Sequence, residues 1–346
     1  MDFTPTEEQT AARDLAAQIF TDLSTPDRLA STGTGTDVEL WKTLCAVGLT
    51  AAVEETGLLG LVLLLEEQGR TTAQTPFAVS CVHGLLAVAA HGTDEQRERW
   101  LPGLRDGTAV ATGALDARGA VRSAHGRLTG TVAWVPWLRD ATHVLVADAG
   151  RALWWVRVAD AETTPVETTA PWSAGRLILD DTPAERLGGD TARAGPAYEG
   201  VLAASRIAFA GLQAGVCAGS LDRAVAHTTT REQFGRPLST NQGVLIRAAD
   251  AYMDTEAIRV TTYEAAWRYD EGLPYATHAL TAAWWASEAG KRVVHAGQHL
   301  HGGLGADLDH PVHRHFLWGR QIDAYLGCGS EVLAELGALL ATEEAR

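Results

Sequence analysis

The sequence predicts a mainly α protein with a small antiparallel β domain in its middle. Three observations carry this. From Thr4 to about Gly107 apolar residues recur at helical spacing, as in Leu15, Ile19 and Leu23. From about Ala109 to Leu187 the chain breaks into short runs rich in β-branched and aromatic residues, divided by Gly, Pro and Asp. From Tyr198 onward long helical periods return. The expected domains are 1–108, 109–195 and 196–346.

Each zone has its own signals. Thr4, Pro5 and Glu7 form a capping-box start for the first helix. Leu61, Leu64 and Leu65 precede the helix-favouring Glu66-Glu67-Gln68. The expected strands are 127–134, 142–147, 153–158 and 176–179, with exit loops at 187–190 and 194–196. In the last zone Val244, Ala248, Ala251, Thr255, Ile258, Thr262 and Ala265 share one stripe. Ala279, Ala282, Ala286, Ala289, Val293 and Ala296 form a second, small enough for close packing. Leu326, Ser330, Leu333, Leu336 and Leu340 are expected on a final helix, completing a four-helix bundle.

Composition narrows the function. The 346 residues carry 28 Lys and Arg against 43 Asp and Glu, a net charge of −15, and 46% are hydrophobic. Such a chain buries a large core and is not disordered. Its charge argues against nucleic acid or an anionic membrane as the main partner. The N-terminal residues lack the features of a signal peptide, and the longest unbroken apolar stretch, 57–65, falls well short of the roughly 20 residues that span a bilayer. Cys45, Cys81, Cys217 and Cys328 are scattered, without paired spacing. A soluble protein of the reducing cytoplasm is expected.

Two segments carry the chemistry. The first is the polar loop Arg231-Glu-Gln-Phe-Gly-Arg-Pro-Leu-Ser-Thr-Asn-Gln242. Gly235 and Pro237 are expected to end one helix, and Ser239 or Thr240 to cap the next. Arg231 and Arg236 offer planar donor forks for phosphate or carboxylate. From residue types alone, an ordinary connector with solvated arginines is the favoured reading of the segment. The second is Gln298-His-Leu-His-Gly-Gly-Leu-Gly305, followed by Asp309-His-Pro-Val-His-Arg314. Its glycine amides could meet a phosphate, although a helix C-terminus often carries glycine anyway. His299, His301, His310, His313 and His315 lack metal-ligand spacing, and no metal is expected.

Together these segments resemble the acyl-CoA dehydrogenase family, through Arg-x-x-Phe-Gly in the first loop of the bundle and His-Gly-Gly-x-Gly later. The stretches 92–104, 179–188 and 310–314 are similar to family segments as well, so the resemblance runs along nearly the whole chain. It implies FAD as cofactor, with the adenosine-diphosphate half reaching a neighbouring subunit. Arg231, Gln233, Phe234, Leu238, Asn241 and Gln242 match positions that contact that half, and Gly302 and Gly303 match the glycine loop beside it. His299 stands where the family usually has Gln.

The departures are as informative. The family takes the α-proton of an acyl-CoA with a carboxylate while a hydride passes from the β-carbon to the flavin. Leu326, in Tyr325-Leu-Gly-Cys328, occupies the commonest position of that base, and Ser205, in Ala204-Ser-Arg206, occupies the alternative one. The family's Leu-Thr-Glu-Pro and Gly-Ser-Asp pattern is reduced to 114–119. Pro136 in Trp134-Val-Pro136 removes an amide donor to the flavin ring, and Val53-Glu-Glu-Thr-Gly57 stands for a longer loop. With no catalytic residue of its own expected, the chain resembles the short, degenerate subunit of actinobacterial α2β2 dehydrogenases that act on steroid-CoA thioesters in cholesterol side-chain degradation. That resemblance implies a homologous partner subunit carrying the catalytic Glu, an acyl-CoA substrate and an electron-transfer flavoprotein or similar acceptor. A homomeric flavoprotein with another base, or a flavin-free structural protein on this scaffold, are the alternatives.

Overall fold

The computed structural model describes residues 2–115, 120–189, 192–233 and 235–344, with backbone alone at 343–344. Helices α1 (Glu7–Leu23), α2 (Pro26–Thr32), α3 (Val38–Ala46), α4 (Leu49–Thr71), α5 (Phe77–Val79), α6 (Ala87–His91) and α7 (Asp94–Arg105) come first, with a π-helical stretch, Ser80–Leu86, between α5 and α6. The first cap falls two residues later than the sequence predicts. Thr6 accepts from the Gln9 amide while Gln9 returns the bond, and Pro5 stays outside the helix. Ala16 and Phe20 are the buried residues of α1, whereas Leu15 is 39% exposed.

Strands β1 (Ala111–Ala114) through β8 (Glu185–Arg186) follow, with β2 (Val121–Ala124), β3 (Arg127–Val135), β4 (His143–Ala147), β5 (Leu153–Arg157), β6 (Glu162–Pro165) and β7 (Gly175–Pro183) between them. Among the described residues they form two four-stranded sheets, ordered β1-β4-β5-β8 and β2-β3-β7-β6. Pairing is antiparallel except between β1 and β4, which run parallel. Alternation along β3 sends Leu128 and Val132 into a core shared with Val144, Val156 and Leu177, and an irregularity in the ladder between Val132 and Val135 brings Val135 into it too.

The chain then returns to helix as α8 (Pro196–Thr230), α9 (Gln242–Asp270), α10 (Ala276–Leu300), α11 (Val312–Leu326) and α12 (Gly329–Glu344), with the two-residue strands β9 (Glu232–Gln233) and β10 (Arg236–Pro237) between α8 and α9. All six small residues of the predicted α10 stripe are buried, as are Ala251, Thr255, Ile258, Thr262 and Ala265 on α9. The expected final helix is corrected. Gly327 and Cys328 both take positive φ, 99° and 59°, so Leu326 ends α11 and a new helix starts at Gly329.

By compactness the chain divides into two units, each taking part of the first helical zone. One comprises Met1–Asp27, Leu58–Ala73 and Arg206–Arg346, and the other Arg28–Gly57 and Gln74–Ser205. The segment Val53–Gly57 forms helix rather than loop, and Gly57, at φ 72°, breaks α4. The freed amides of Leu58 and Leu59 donate to the Asp270 carboxylate at 2.8 and 2.9 Å, capping the second half of the helix.

Candidate functional site

In the helical unit the Arg231 loop is a tight hairpin. Gln233 faces Arg236 and Glu232 faces Pro237 across β9 and β10, and Gly235 turns between them at φ 76°. Its closing bond runs from the Leu238 amide to the Arg231 carbonyl at 2.9 Å. Arg231, Gln233 and Gln242 are exposed, while Leu238 and Asn241 are half-buried; Phe234 lies outside the described residues. Two local expectations are corrected. α8 ends at Thr230, before Gly235, and Asn241 rather than Ser239 or Thr240 occupies the cap position of α9, because residues 238–240 form a 3-10 turn. Arg236 donates to Asn241 Oδ1 at 2.9 Å, a restraint on Asn241 that residue types did not disclose.

The glycine loop belongs to the same unit. Gly302 and Gly303 are exposed, with Gly302 at φ 60° and open space where either Cβ would lie. Gln298 donates to the Gly305 carbonyl at 3.1 Å, fixing the loop from within, and leaves the exposed His299 at the position where the family has Gln. His301 turns inward, its Nδ1 2.7 Å from the Gly297 carbonyl. Its ring stacks on His227 at 4.8 Å and meets His310 at 5.0 Å. Burial and the neighbouring imidazoles hold His227 and His310 below the usual histidine range. His227 escaped the sequence reading, since nothing in a threonine-rich helix end marks a ring that stacks 74 residues downstream.

Leu326, the last residue of α11, is buried and has no group to accept a proton. Its neighbour Tyr325 packs on Phe209 at 4.1 Å. One turn earlier the buried Asp323 carboxylate accepts from the Ser287 hydroxyl and lies 3.4 Å from Arg320.

In the other unit, Ser205 meets a partner that the sequence did not reveal. His83 Nε2 lies 3.2 Å from Ser205 Oγ, and both residues are buried. A histidine inside the apolar run 77–88 was the available signal. Its ring lies so close to β1 that a Cβ on Gly113 would stand 2.6 Å from it, which is why glycine sits there. Burial pushes His83 down to about 3, so the imidazole is neutral at working pH and a weak proton acceptor. The Thr112 hydroxyl donates to the Pro136 carbonyl at 2.5 Å, and Trp137 just beyond takes a left-handed φ of 58°. The reduced segment 114–119 is described only through Leu115, whose carbonyl accepts from Tyr198 at 3.1 Å.

For FAD, these residues divide. The exposed guanidinium, amide side chains and open glycine backbone of the helical unit suit the charged diphosphate half. Just beyond β3, Pro136 lacks an amide and Thr112 spends its hydroxyl on the Pro136 carbonyl, so neither has a donor to offer a flavin ring. A helical–β–helical chain with an anion-suited loop pair in its bundle has the architecture of a flavin-dependent dehydrogenase.

The chain belongs to the acyl-CoA dehydrogenase family. The acyl-CoA dehydrogenase N-terminal domain matches residues 6–108, and the C-terminal domain matches 196–338. Acyl-CoA dehydrogenase FadE27 of Mycobacterium tuberculosis is 36% identical over 99% of both chains. Among solved structures, a chain of the Tcur3481-Tcur3483 steroid ACAD, G363A variant, is 40% identical, with a TM-score of 0.91 over 98% of this chain and 99% of that one. A chain of the ChsE4-ChsE5 complex from Mycobacterium tuberculosis is 32% identical, with a TM-score of 0.91 over 99% of each. Family membership makes FAD the cofactor of the class.

Proposed function

We propose that this chain is the base-less subunit of a heteromeric, FAD-dependent acyl-CoA dehydrogenase. Its partner is a homologous subunit carrying the catalytic Glu, in an α2β2 assembly of the cytoplasm, and the substrate is a steroid side-chain acyl-CoA. One observation carries the reading: Arg231 stands exposed at the base of its hairpin, while both base positions hold groups that cannot take the α-proton. Leu326 is aliphatic, and Ser205 is paired with an imidazole whose pKa is pushed down to about 3.

The likeness to chains of a steroid ACAD pair and of a two-protein complex supports the heteromer and the steroid thioester. Exposed Leu245 and Ile246, just after the hairpin, with Leu304 and Leu308 beside the glycine loop, support cover by another chain there. In this reading Arg231 pairs with the diphosphate, and Gln233, Asn241 and Gln242 supply neutral hydrogen bonds. Leu238 packs on the adenosine side, and Gly302 and Gly303 admit the backbone to it. When bound, FAD would supply the hydride acceptor at the partner's site, with an electron-transfer flavoprotein or similar carrier as the onward electron acceptor.

The test is turnover with a steroid side-chain acyl-CoA and a dye acceptor. The expected result is no activity from this chain alone and activity on co-purification with the homologous subunit. Activity of the isolated chain overturns the proposal.

A further inference from the structure

The glycine loop is fastened at two places. From within, Gln298 donates to the Gly305 carbonyl, and the Gln298 carbonyl leaves no room for a Cβ on Gly305. From outside, the ring of His301 touches two others. It stacks on His227, in the last turn of α8, at 4.8 Å, and meets His310, just before α11, at 5.0 Å. His301 is buried and the two flanking rings are half-buried. The three imidazoles thus join the loop to the end of one helix and the start of another.

Hydrogen bonds fix where two of the protons sit. His301 Nδ1 donates to the Gly297 carbonyl at 2.7 Å, so Nε2 carries the lone pair of the neutral ring. His310 is the opposite tautomer. Its Nδ1 accepts from the Val312 amide, the first of α11, at 3.3 Å, and its carbonyl accepts from His313 Nδ1 at 2.7 Å. A proton on His310 Nδ1 removes that cap and sets a charge at a helix N-terminus, where the macrodipole opposes it. Arg223, His301 and His313 face His310 too, and the carboxylate that favours charge there, Asp307, belongs to the loop itself. The end of α8 favours a charge on His227, but His301, His310 and Arg231 oppose it. Burial first, and then these neighbours, hold both rings below the usual histidine range. Assembled, the cluster is neutral; charged, its rings repel.

We propose that His227 and His310 are positioning residues of the glycine loop, holding it through His301 while the three rings are neutral and releasing it when a proton enters the cluster. Rings freed from the cluster titrate near about 6.5, so the closed loop is fully favoured above that pH and opens as pH falls below it. Between pH 7.0 and 5.5 each freed ring favours opening by up to roughly eightfold, and two rings by up to the square of that. That the loop holds FAD rests on the proposed function. That the rings hold the loop does not, and the test reads the loop without flavin.

The test is hydrogen exchange of the full chain at pH 7.0 and 5.5, each rate referred to its intrinsic value at that pH. Protection over residues 301–313 is expected to fall at least about tenfold at pH 5.5, while residues 143–147 of β4 stay protected. His227→Phe keeps a ring against His301, and His310→Asn keeps an acceptor for the Val312 amide, yet neither new side chain takes up a proton. Each should weaken the fall and the two together remove most of it, with protection at pH 7.0 unchanged. His295→Gln, at a ring of α10 that meets Phe316 instead, should leave the fall intact. Three results overturn the proposal: equal protection at the two pH values, a fall in the double variant as large as in wild type, or a fall lost equally in His295→Gln. Simultaneous loss over residues 143–147 also overturns it, because the whole chain then opens rather than the loop.

Discussion

The carboxylate of Asp270, at the end of α9, receives the amides of both Leu58 and Leu59, at 2.8 and 2.9 Å. A residue 211 positions away thus caps the helix that Gly57 restarts, and ties the end of α9 to the second half of α4. Asp270→Ala leaves two amides to water and removes a negative charge from a helix N-terminus. Loss of about 1 kcal/mol is expected in urea unfolding, with faster hydrogen exchange at Leu58 and Leu59. Unchanged exchange there rules out the capping role.

A second expectation concerns acid. Burial pushes His83 down to about 3 and His315 to about 4, well below the roughly 6.5 of an unfolded histidine. The unfolded chain therefore binds protons that the folded chain refuses. Their contribution is complete above about pH 6.5 and is lost as pH falls from there toward 4 and 3. Each group steepens the fall by up to about 1.4 kcal/mol per pH unit. Urea midpoints at pH 7, 6 and 5 should drop progressively, and His83→Gln should flatten the slope by about one proton. An equal slope in the variant contradicts this account of His83.

Supplying a carboxylate should not revive the chain. In Leu326→Glu a base is present, but Pro136 still offers no amide and Thr112 still bonds inward to the Pro136 carbonyl. A base without a placed acceptor has nothing to which the hydride can go. No flavin bleaching is expected in a single turnover of the isolated variant; rapid bleaching shows that the base alone was missing.

Arg231 should matter without any chemistry beside it. Removing a charged donor from a partly desolvated diphosphate costs about 1.5–3 kcal/mol, roughly ten- to hundredfold in affinity. Arg231→Ala should assemble normally yet lose flavin on dialysis, with activity partly restored by excess FAD. Arg236 is no neutral control, because it restrains Asn241 through a 2.9 Å bond. Arg247, exposed on α9, serves instead, and Arg247→Ala should leave flavin content unchanged.

Much of the fold was legible because the small-residue stripes of α9 and α10 are long enough for period to identify a buried face. The parallel pairing of β1 with β4 was not, since strand direction leaves no mark in a four-residue run. The break at Gly327 and Cys328 was missed because apolar spacing continued across it while the backbone reversed hand. The Arg231 and Gly302 loops were visible as motifs. His83 against Ser205, and His227 against His301, were not: each pair joins residues more than 70 positions apart, and only the folded chain brings them together.

The most direct test of the central claim is a flavin count on the complex. This chain, co-expressed with a homologous subunit that carries the catalytic Glu, should be weighed by native mass spectrometry and its FAD measured after denaturation. The account predicts an α2β2 mass with one FAD per heterodimer, falling below one in Arg231→Ala. Two FAD per heterodimer, or full occupancy that is indifferent to Arg231, contradicts it.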